Sequence, residues 1–297
     1  MKRLLVLMLL WLPVQTHAAL NVFACEPEWA ALAGEIGGAD VKVYSATTAL
    51  QDPHRIEARP SLIAQMRRAN LVVCTGAELE IGWLPVLLRE AGNAAVQPGR
   101  PGYFEATRFV PLLDKPTRLD RAEGDVHAAG NPHIHTDPRN ILRVSAAMTE
   151  RLAEVDPANA AAYRLRGQDF ATRWQAAIAR WEARATPLKG MAVVMQHKSF
   201  PYLFNWLGLR EVAVLEPKPG VEPSVGYLAR VAEQLKTTPA KMVLRAAYQS
   251  PRPADWLAQR AGIPALALPY TVGGSERASD LFGLFDDTLD QLLKAAS

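Results

Sequence analysis

Short apolar runs alternate with amphipathic stretches through the first half of the chain. Three apolar runs bounded by turn residues predict β-strands at residues 20–25, 41–44 and 71–75. The stretches between and after them carry apolar residues at helical spacing and predict helices over residues 28–36, 61–68 and 84–91. Residues 98–131 are rich in proline, glycine and charge, which indicates a surface loop.

The second half of the chain repeats the alternation. The predicted strands are residues 191–195, 212–215, 242–245 and 264–268, and the predicted helices are residues 199–207, 225–236, 254–261 and 276–294. Strands that alternate with helices are typical of parallel sheets covered by helices. The fold class is therefore α/β, with two similar lobes that contain parallel sheets.

A long helical pattern separates the two halves. One helical face carries Tyr163, Phe170, Trp174, Ile178 and Trp181. A helix over this stretch would be about 43 Å long and would act as a rigid link. The sequence thus predicts an amino-terminal lobe over residues 19–156, a linking helix over residues 157–186 and a carboxy-terminal lobe over residues 187–297. The alternative is a long core helix within one domain.

Residues 1–18 predict an export signal. Lys2 and Arg3 precede an apolar run, which is followed by a small-residue cleavage pattern that ends at Ala18. The run is too short to span a membrane. We therefore expect a periplasmic protein released by cleavage of this signal peptide. The alternative is a lipoprotein anchored through Cys25.

The charge balance argues against nucleic acid as a partner. Of 33 basic residues, Lys2 and Arg3 belong to the export signal, which leaves 31 basic residues against 30 acidic ones. The longest basic tract is Arg67-Arg68. We expect a monomer that binds no nucleic acid.

The two cysteines lie at the ends of predicted strands. Cys25 and Cys74 would lie about 5 Å apart if these strands are neighbours, and a disulfide could then form. The alternative is a pair of buried thiols.

Three widely separated histidines occupy turns that follow predicted strands or loops. These are His54 after Asp52-Pro53, His133 after Asn131-Pro132, and His197 after the strand at residues 191–195. Ligands of open α/β sheets bind at the carboxyl ends of the strands, so we expect the three rings to converge between the lobes. Three imidazoles are a common ligand set for zinc and leave one coordination position for another group.

These histidines belong to longer motifs that occur in a fixed order. The motifs are DPH at 52–54, LVVCTGAELE at 71–80, NPHIHTDP at 131–138, DPANAAAY at 156–163, QHKSFPYLF at 196–204 and EPKPGVEPS at 216–224. Together they resemble the cluster A-I metal-binding proteins, the ZnuA/TroA-like solute-binding components of zinc and manganese ABC importers. The resemblance covers nearly the whole chain after the export signal.

The resemblance implies a metal-capturing protein rather than an enzyme. It implies that His54, His133 and His197 are the first three metal ligands. Family members that resemble manganese binders tend to have glutamate in the third position, so histidine here favours Zn²⁺ over Mn²⁺ as the transported ion. The implied partners are an ABC permease in the membrane and its ATPase.

The fourth ligand is where this sequence departs from the family pattern. An aspartate usually follows the last strand, and Tyr270 occupies that place here. A phenol with a pKa of about 10 is a poor zinc ligand. The fourth position could hold water, it could be filled by another group such as Asp280 or His135, or Tyr270 could bind weakly or contact a metal-bound water. His135 is expected to pack or hydrogen-bond behind the ligands, and His127 to be solvated.

Two other functions stay open at this point. Three histidines and a metal-bound water also describe a zinc hydrolase, although the sequence has no His-Glu-x-x-His motif. The second alternative is an exported metal chaperone or adhesin that has no importer of its own.

Overall fold

The computed structural model describes residues 18–116, 124 and 127–297, so the predicted export signal lies outside the described residues except for Ala18. The amino-terminal lobe contains a parallel sheet of four strands in the order β2-β1-β3-β4. The strands are β1 (Leu20–Ala24), β2 (Val41–Ser45), β3 (Leu71–Cys74) and β4 (Tyr103–Glu105). The helices are α1 (Pro27–Gly37), α2 (Pro60–Arg68), α3 (Leu84–Ala91) and α4 (Pro138–Val155).

Strand β4 corrects one prediction, because it lies within residues 98–131, which were expected to form a loop. It has only three residues and is too short to show an alternating pattern in the sequence. The strand is defined by its pairing with β3, in which Phe104 is in register with Val73. The side chain of Phe104 is buried.

A long helix follows this lobe, as predicted. Helix α5 (Ala160–Ala185) is flanked by single 3-10 turns at Pro157–Asn159 and Thr186–Leu188. Its apolar face packs against α1 and α4. Proline at the start of the first turn suits a helix beginning, because proline lacks the N–H that would stay unpaired there.

The second lobe repeats the topology of the first, with strand order β6-β5-β7-β8 and parallel pairing throughout. The strands are β5 (Ala192–Met195), β6 (Arg210–Val214), β7 (Met242–Ala246) and β8 (Ala265–Leu268). The helices are α6 (Pro201–Leu207), α7 (Val225–Thr237), α8 (Arg252–Ala261) and α9 (Leu281–Ala296). The prediction of two similar α/β lobes joined by a long helix is confirmed.

Helix α9 begins five residues later than predicted. The preceding segment forms a turn, in which Gly273 donates its N–H to the carbonyl of Ala278 at 2.7 Å. Asp280 then accepts a hydrogen bond from the N–H of Gly283 and caps the helix. Helix α6 likewise begins at Pro201 rather than at residue 199.

One continuous apolar core connects the two lobes through α5. Trp181 on α5 packs against Phe285 on α9, with ring centroids 5.1 Å apart. Buried side chains of both sheets belong to the same cluster. The exact division of the chain at residues 156 and 187 stays a prediction. No helix in the described ranges is long and apolar enough to cross a membrane.

The two cysteines form a disulfide. Strands β1 and β3 are neighbours, and Cys25 and Cys74 lie at their carboxyl ends with Cα atoms 4.8 Å apart. The alternative of two buried thiols is therefore wrong. The sulfur of Cys25 is bonded to Cys74, which argues against the lipoprotein alternative that needs this sulfur for acylation.

A buried pair of carboxyl groups lies beside the disulfide. The N–H of Thr75 donates to Glu80 at 2.7 Å and to Glu26 at 3.2 Å. Burial, together with the neighbouring carboxylates, raises the pKa of Glu26 well above its ordinary value. Burial also raises the pKa of Glu80 to about 7. The pair therefore holds a proton under conditions in which exposed carboxyl groups have lost theirs.

Candidate metal centre

Three histidines converge between the two sheets, as expected from the sequence. His54 lies in the loop after β2, His133 immediately before the turn that leads into α4, and His197 two residues after β5. Each ring offers one nitrogen, and these three nitrogens all lie within 4.8 Å of one another. The ring centroids are 5.5, 5.7 and 5.9 Å apart. This spacing allows one ion to contact all three rings.

Carboxylates orient two of the rings. Nδ1 of His54 lies 2.8 Å from Asp52, and Nδ1 of His197 lies 2.6 Å from Glu216. A carboxylate accepts a hydrogen bond only from a protonated nitrogen, so this arrangement leaves the Nε2 lone pair available to a metal. Burial alone would raise the pKa of Asp52, but the hydrogen bond and charge of His54 outweigh burial, and its pKa lies below the ordinary value.

Tyr270 orients the third ring. Its hydroxyl lies 2.6 Å from Nδ1 of His133, which leaves Nε2 of His133 for the cluster. Burial raises the pKa of Tyr270 well above its ordinary value, so the side chain is a neutral phenol. Burial and the neighbouring histidines lower the pKa of His133 well below its ordinary value. His133 is therefore a neutral imidazole, the form that binds metal.

Neither of the other two residues considered for the fourth position joins the cluster. His135 is fully buried in the turn Ile134–Thr136, where its Nε2 lies 2.9 Å from the carbonyl of Tyr270. Its Nδ1 lies 3.2 Å from Glu28, an ion-pair distance without hydrogen-bond geometry. His135 thus supports the backbone behind Tyr270. Asp280 is exposed and caps α9 through its bond to Gly283.

His127 departs from its prediction. It was expected to be solvated, but its ring is half-buried, and its Nε2 lies 3.3 Å from Nε2 of His54. Its ring centroid is 5.3 Å from that of His54 and 6.5 Å from that of His133. The structure thus brings a fourth imidazole to the edge of the cluster.

Glu216 was not predicted from the sequence to belong to the metal centre. A signal was available, because Glu216 follows β6 and β6 is paired with β5, the strand that leads to His197. The carboxyl ends of neighbouring parallel strands lie at the same edge of a sheet. A residue just beyond one strand can therefore contact a residue just beyond the next.

A cavity of about 220 Å³ opens beside the cluster. It is lined by His54, His197 and Glu216 together with Arg55 and Glu222. This lining is polar, and the cavity therefore gives a hydrated ion access to two of the three rings.

Comparison with known proteins identifies the family. A family model described as "Zinc-uptake complex component A periplasmic", named ZnuA, matches residues 22–295. The chain belongs to the ZnuA family. This family contributes the extracytoplasmic solute-binding component of ABC importers, which work with a permease and an ATPase. Membership confirms the predictions of family and class: the chain is a transport component and not an enzyme, and the hydrolase alternative is not favoured.

Relatives with established names are distant in sequence. The chain is 24% identical to "High-affinity zinc uptake system protein ZnuA" of Bacillus subtilis over 248 residues, which cover 82% of this chain and 76% of that protein. It is 22% identical to "Zinc-binding lipoprotein AdcA" of Streptococcus pneumoniae over 78% of this chain and 45% of that protein. It is 20% identical to "Manganese ABC transporter substrate-binding lipoprotein PsaA" of Streptococcus anginosus over 94% of this chain and 89% of that protein.

The fold is that of solved ZnuA structures. A crystal structure of ZnuA aligns with a TM-score of 0.78 and 21% identity, covering 94% of this chain and 100% of that one. A periplasmic metal-binding protein of Candidatus Liberibacter asiaticus aligns with a TM-score of 0.75 and 17% identity over 94% of this chain and 100% of that one. The two-lobe ZnuA architecture is thereby confirmed for this chain.

Proposed function

We propose that this ZnuA-family chain binds one Zn²⁺ through Nε2 of His54, His133 and His197 and delivers it to an ABC permease. The observation that carries the proposal is the convergence of these three ring nitrogens within 4.8 Å. Zinc bonds to imidazole nitrogen are about 2.0–2.1 Å long, so bound nitrogens lie about 3.3–3.4 Å apart. Small shifts of the side chains bring the three nitrogens to this spacing.

The hydrogen bonds behind the rings support the same assignment. Asp52 and Glu216 accept from Nδ1 of His54 and His197 and leave Nε2 of these rings free, and Tyr270 lies at Nδ1 of His133, whose Nε2 is free when Nδ1 donates to the hydroxyl. Partners of this kind fix the tautomer of a metal-binding histidine and raise the basicity of the ligating nitrogen. The two carboxylates also bring negative charge close to the dication, which offsets the charge that three neutral imidazoles leave in place.

The nitrogen ligands favour zinc over manganese. Imidazole suits Zn²⁺, whereas Mn²⁺ prefers carboxylate, carbonyl and water oxygens. The names of the Bacillus subtilis and Streptococcus pneumoniae relatives refer to zinc, and that of the Streptococcus anginosus relative refers to manganese. We infer that Zn²⁺ is the cargo of this chain and that Mn²⁺ binds more weakly.

Location and partners follow from this role. The predicted signal peptide over residues 1–18 would be cleaved to release the protein into the periplasm. The protein would work there as a monomer and would bind no nucleic acid. Its partners would be a permease and an ATPase of its own transporter.

Uptake of radiolabelled zinc tests the function. Cells that lack the gene would be complemented with the wild-type chain, with His197→Ala or with Glu222→Ala, a control residue in the wall of the same cavity. We expect wild type and Glu222→Ala to restore uptake and His197→Ala to fail, with equal amounts of each protein in the periplasm. Uptake that His197→Ala restores in full, or restored uptake of manganese in place of zinc, would overturn the proposal.

A further inference from the structure

A fourth histidine lies against the ring nitrogen that His54 turns towards the cluster. Nδ1 of His54 is engaged by Asp52, so Nε2 of His54 is the atom available to a metal. Nε2 of His127 lies 3.3 Å from this same atom. His127 therefore lies against one of the ligand nitrogens, but its own nitrogen is not among the three that lie within 4.8 Å of one another, so its ring must move towards the ion to bind it.

The distance between these nitrogens matches shared coordination. Two nitrogens bound to one tetrahedral Zn²⁺ lie about 3.3–3.4 Å apart, because each bond is about 2.0–2.1 Å long. The observed 3.3 Å has the length of one edge of such a tetrahedron and is also a hydrogen-bond distance between the two rings. The ring centroids of His54 and His127 are 5.3 Å apart, close to the 5.5 Å between His54 and His133.

The backbone next to His127 is tethered to the amino-terminal lobe. The N–H of Ala128 donates to Oε2 of Glu78 at 2.8 Å. Glu78 follows β3 and has a φ of 67°, and Ala77 before it has a φ of 50°. A left-handed backbone is unfavourable for residues other than glycine, so the fold maintains a strained turn at the position that holds Ala128.

Other described residues before and after His127 are also held by hydrogen bonds and close contacts. The N–H of Asn131 donates to the carbonyl of Leu113 at 2.8 Å, which closes the base of the loop. The hydroxyl of Tyr202 donates to the carbonyl of Asn131 at 2.7 Å and accepts from the N–H of Leu113 at 3.0 Å. Gly124 lies against the backbone of Pro219, where an added Cβ would be 2.3 Å from the carbonyl oxygen. Described residues on either side of His127 thus contact both lobes.

The residues considered earlier for the fourth position are engaged elsewhere. The hydroxyl of Tyr270 contacts Nδ1 of His133, Nε2 of His135 contacts a backbone carbonyl, and Asp280 caps α9. We propose that His127 supplies the fourth ligand, so that the ion is held by four imidazole nitrogens. This inference rests on the proposed zinc site and adds one ligand to it.

X-ray absorption spectroscopy of the zinc-loaded protein tests the ligand directly, because the outer-shell scattering counts imidazoles. For the wild type we expect four imidazole nitrogens at about 2.0 Å. For His127→Ala we expect three imidazoles and one oxygen, with one zinc per chain retained. Loss of a partner behind a ligand weakens binding about 10- to 100-fold, so loss of the ligand itself should weaken binding at least about tenfold.

Glu78→Gln is the control for a disturbed loop. It removes the charge of Glu78 but keeps a side-chain oxygen that can accept the N–H of Ala128, and it keeps the imidazole of His127, so we expect four imidazoles in its spectrum. Three imidazoles in the wild type, or identical spectra and affinities for wild type and His127→Ala, would overturn the assignment of His127. Failure of the wild type to bind zinc would instead overturn the proposed function, so the two failures are distinguishable.

Discussion

Tyr270→Phe would show how much the group behind a ligand contributes to metal binding. The phenolic oxygen lies 2.6 Å from Nδ1 of His133 in a site where His133 is 1% exposed. Removing the oxygen leaves this buried nitrogen without its partner. The variant changes no proposed ligand and keeps the aromatic ring.

The expected loss of zinc affinity follows from the change in strength of this hydrogen bond when the ion binds. A neutral hydrogen bond contributes about 0.5–1.5 kcal/mol, and one to a charged group about 1.5–3 kcal/mol. A bound dication polarises the His133 ring, so the bond to Tyr270 strengthens by about 1–1.5 kcal/mol on binding. That difference corresponds to about a tenfold weaker affinity for zinc in Tyr270→Phe.

Competition titration against a chromogenic chelator would measure the change. Tyr227→Phe is the matched control, since its hydroxyl donates to the carbonyl of Val214 at 3.0 Å, outside the centre. We expect unchanged affinity in the control. Unchanged affinity in Tyr270→Phe would refute the proposed contribution of the hydrogen bond. Complete loss of zinc from Tyr270→Phe would mean that the phenolic oxygen is itself a ligand.

Two further predictions concern carboxyl groups that are partly or fully buried. Glu216→Gln removes the charge behind one ligand and should weaken zinc binding about tenfold, whereas Glu222→Gln in the same cavity should not, as titration would show. The second prediction is on stability. Raised pKa values mean that Glu26 and Glu80 stabilise the fold at low pH, where both are protonated, and the contribution of Glu80 is lost as the pH rises through about 7. Glu26→Gln, which mimics the protonated form of Glu26, should remove part of that loss. Thermal unfolding of both metal-free proteins from pH 5 to 8 checks it; parallel profiles would contradict the reasoning.

Alternation and helical spacing predicted most of the architecture, because both follow from local burial. The apolar face of α5, with Phe170 and Trp174, was recognisable since buried residues recur along one side of a helix. Strand β4 could not be predicted, because three residues carry too little periodic signal and the strand depends on pairing with β3. The start of α9 was predicted too early, since a turn before Asp280 resembles a helical pattern in sequence.

The candidate centre was predictable where its residues follow strands or turns. His54, His133 and His197 could be named because each lies at a place where α/β sheets bring ligands together. His127 could not, because it is brought to His54 by tethers such as Ala128 to Glu78, which depend on tertiary contacts. The sequence showed that Tyr270 occupies the position of the family's usual aspartate, but its contact with His133 became visible only in three dimensions.

Metal content and affinity of the purified chain test the central claim most directly. Elemental analysis and competition titration with Zn²⁺ and Mn²⁺ would be carried out on the wild type and on His54→Ala, His133→Ala and His197→Ala. The account predicts one zinc per wild-type chain, much weaker binding of manganese, and severe loss of zinc affinity in each variant. A wild-type chain without zinc, or tight manganese binding that survives His197→Ala, would contradict it.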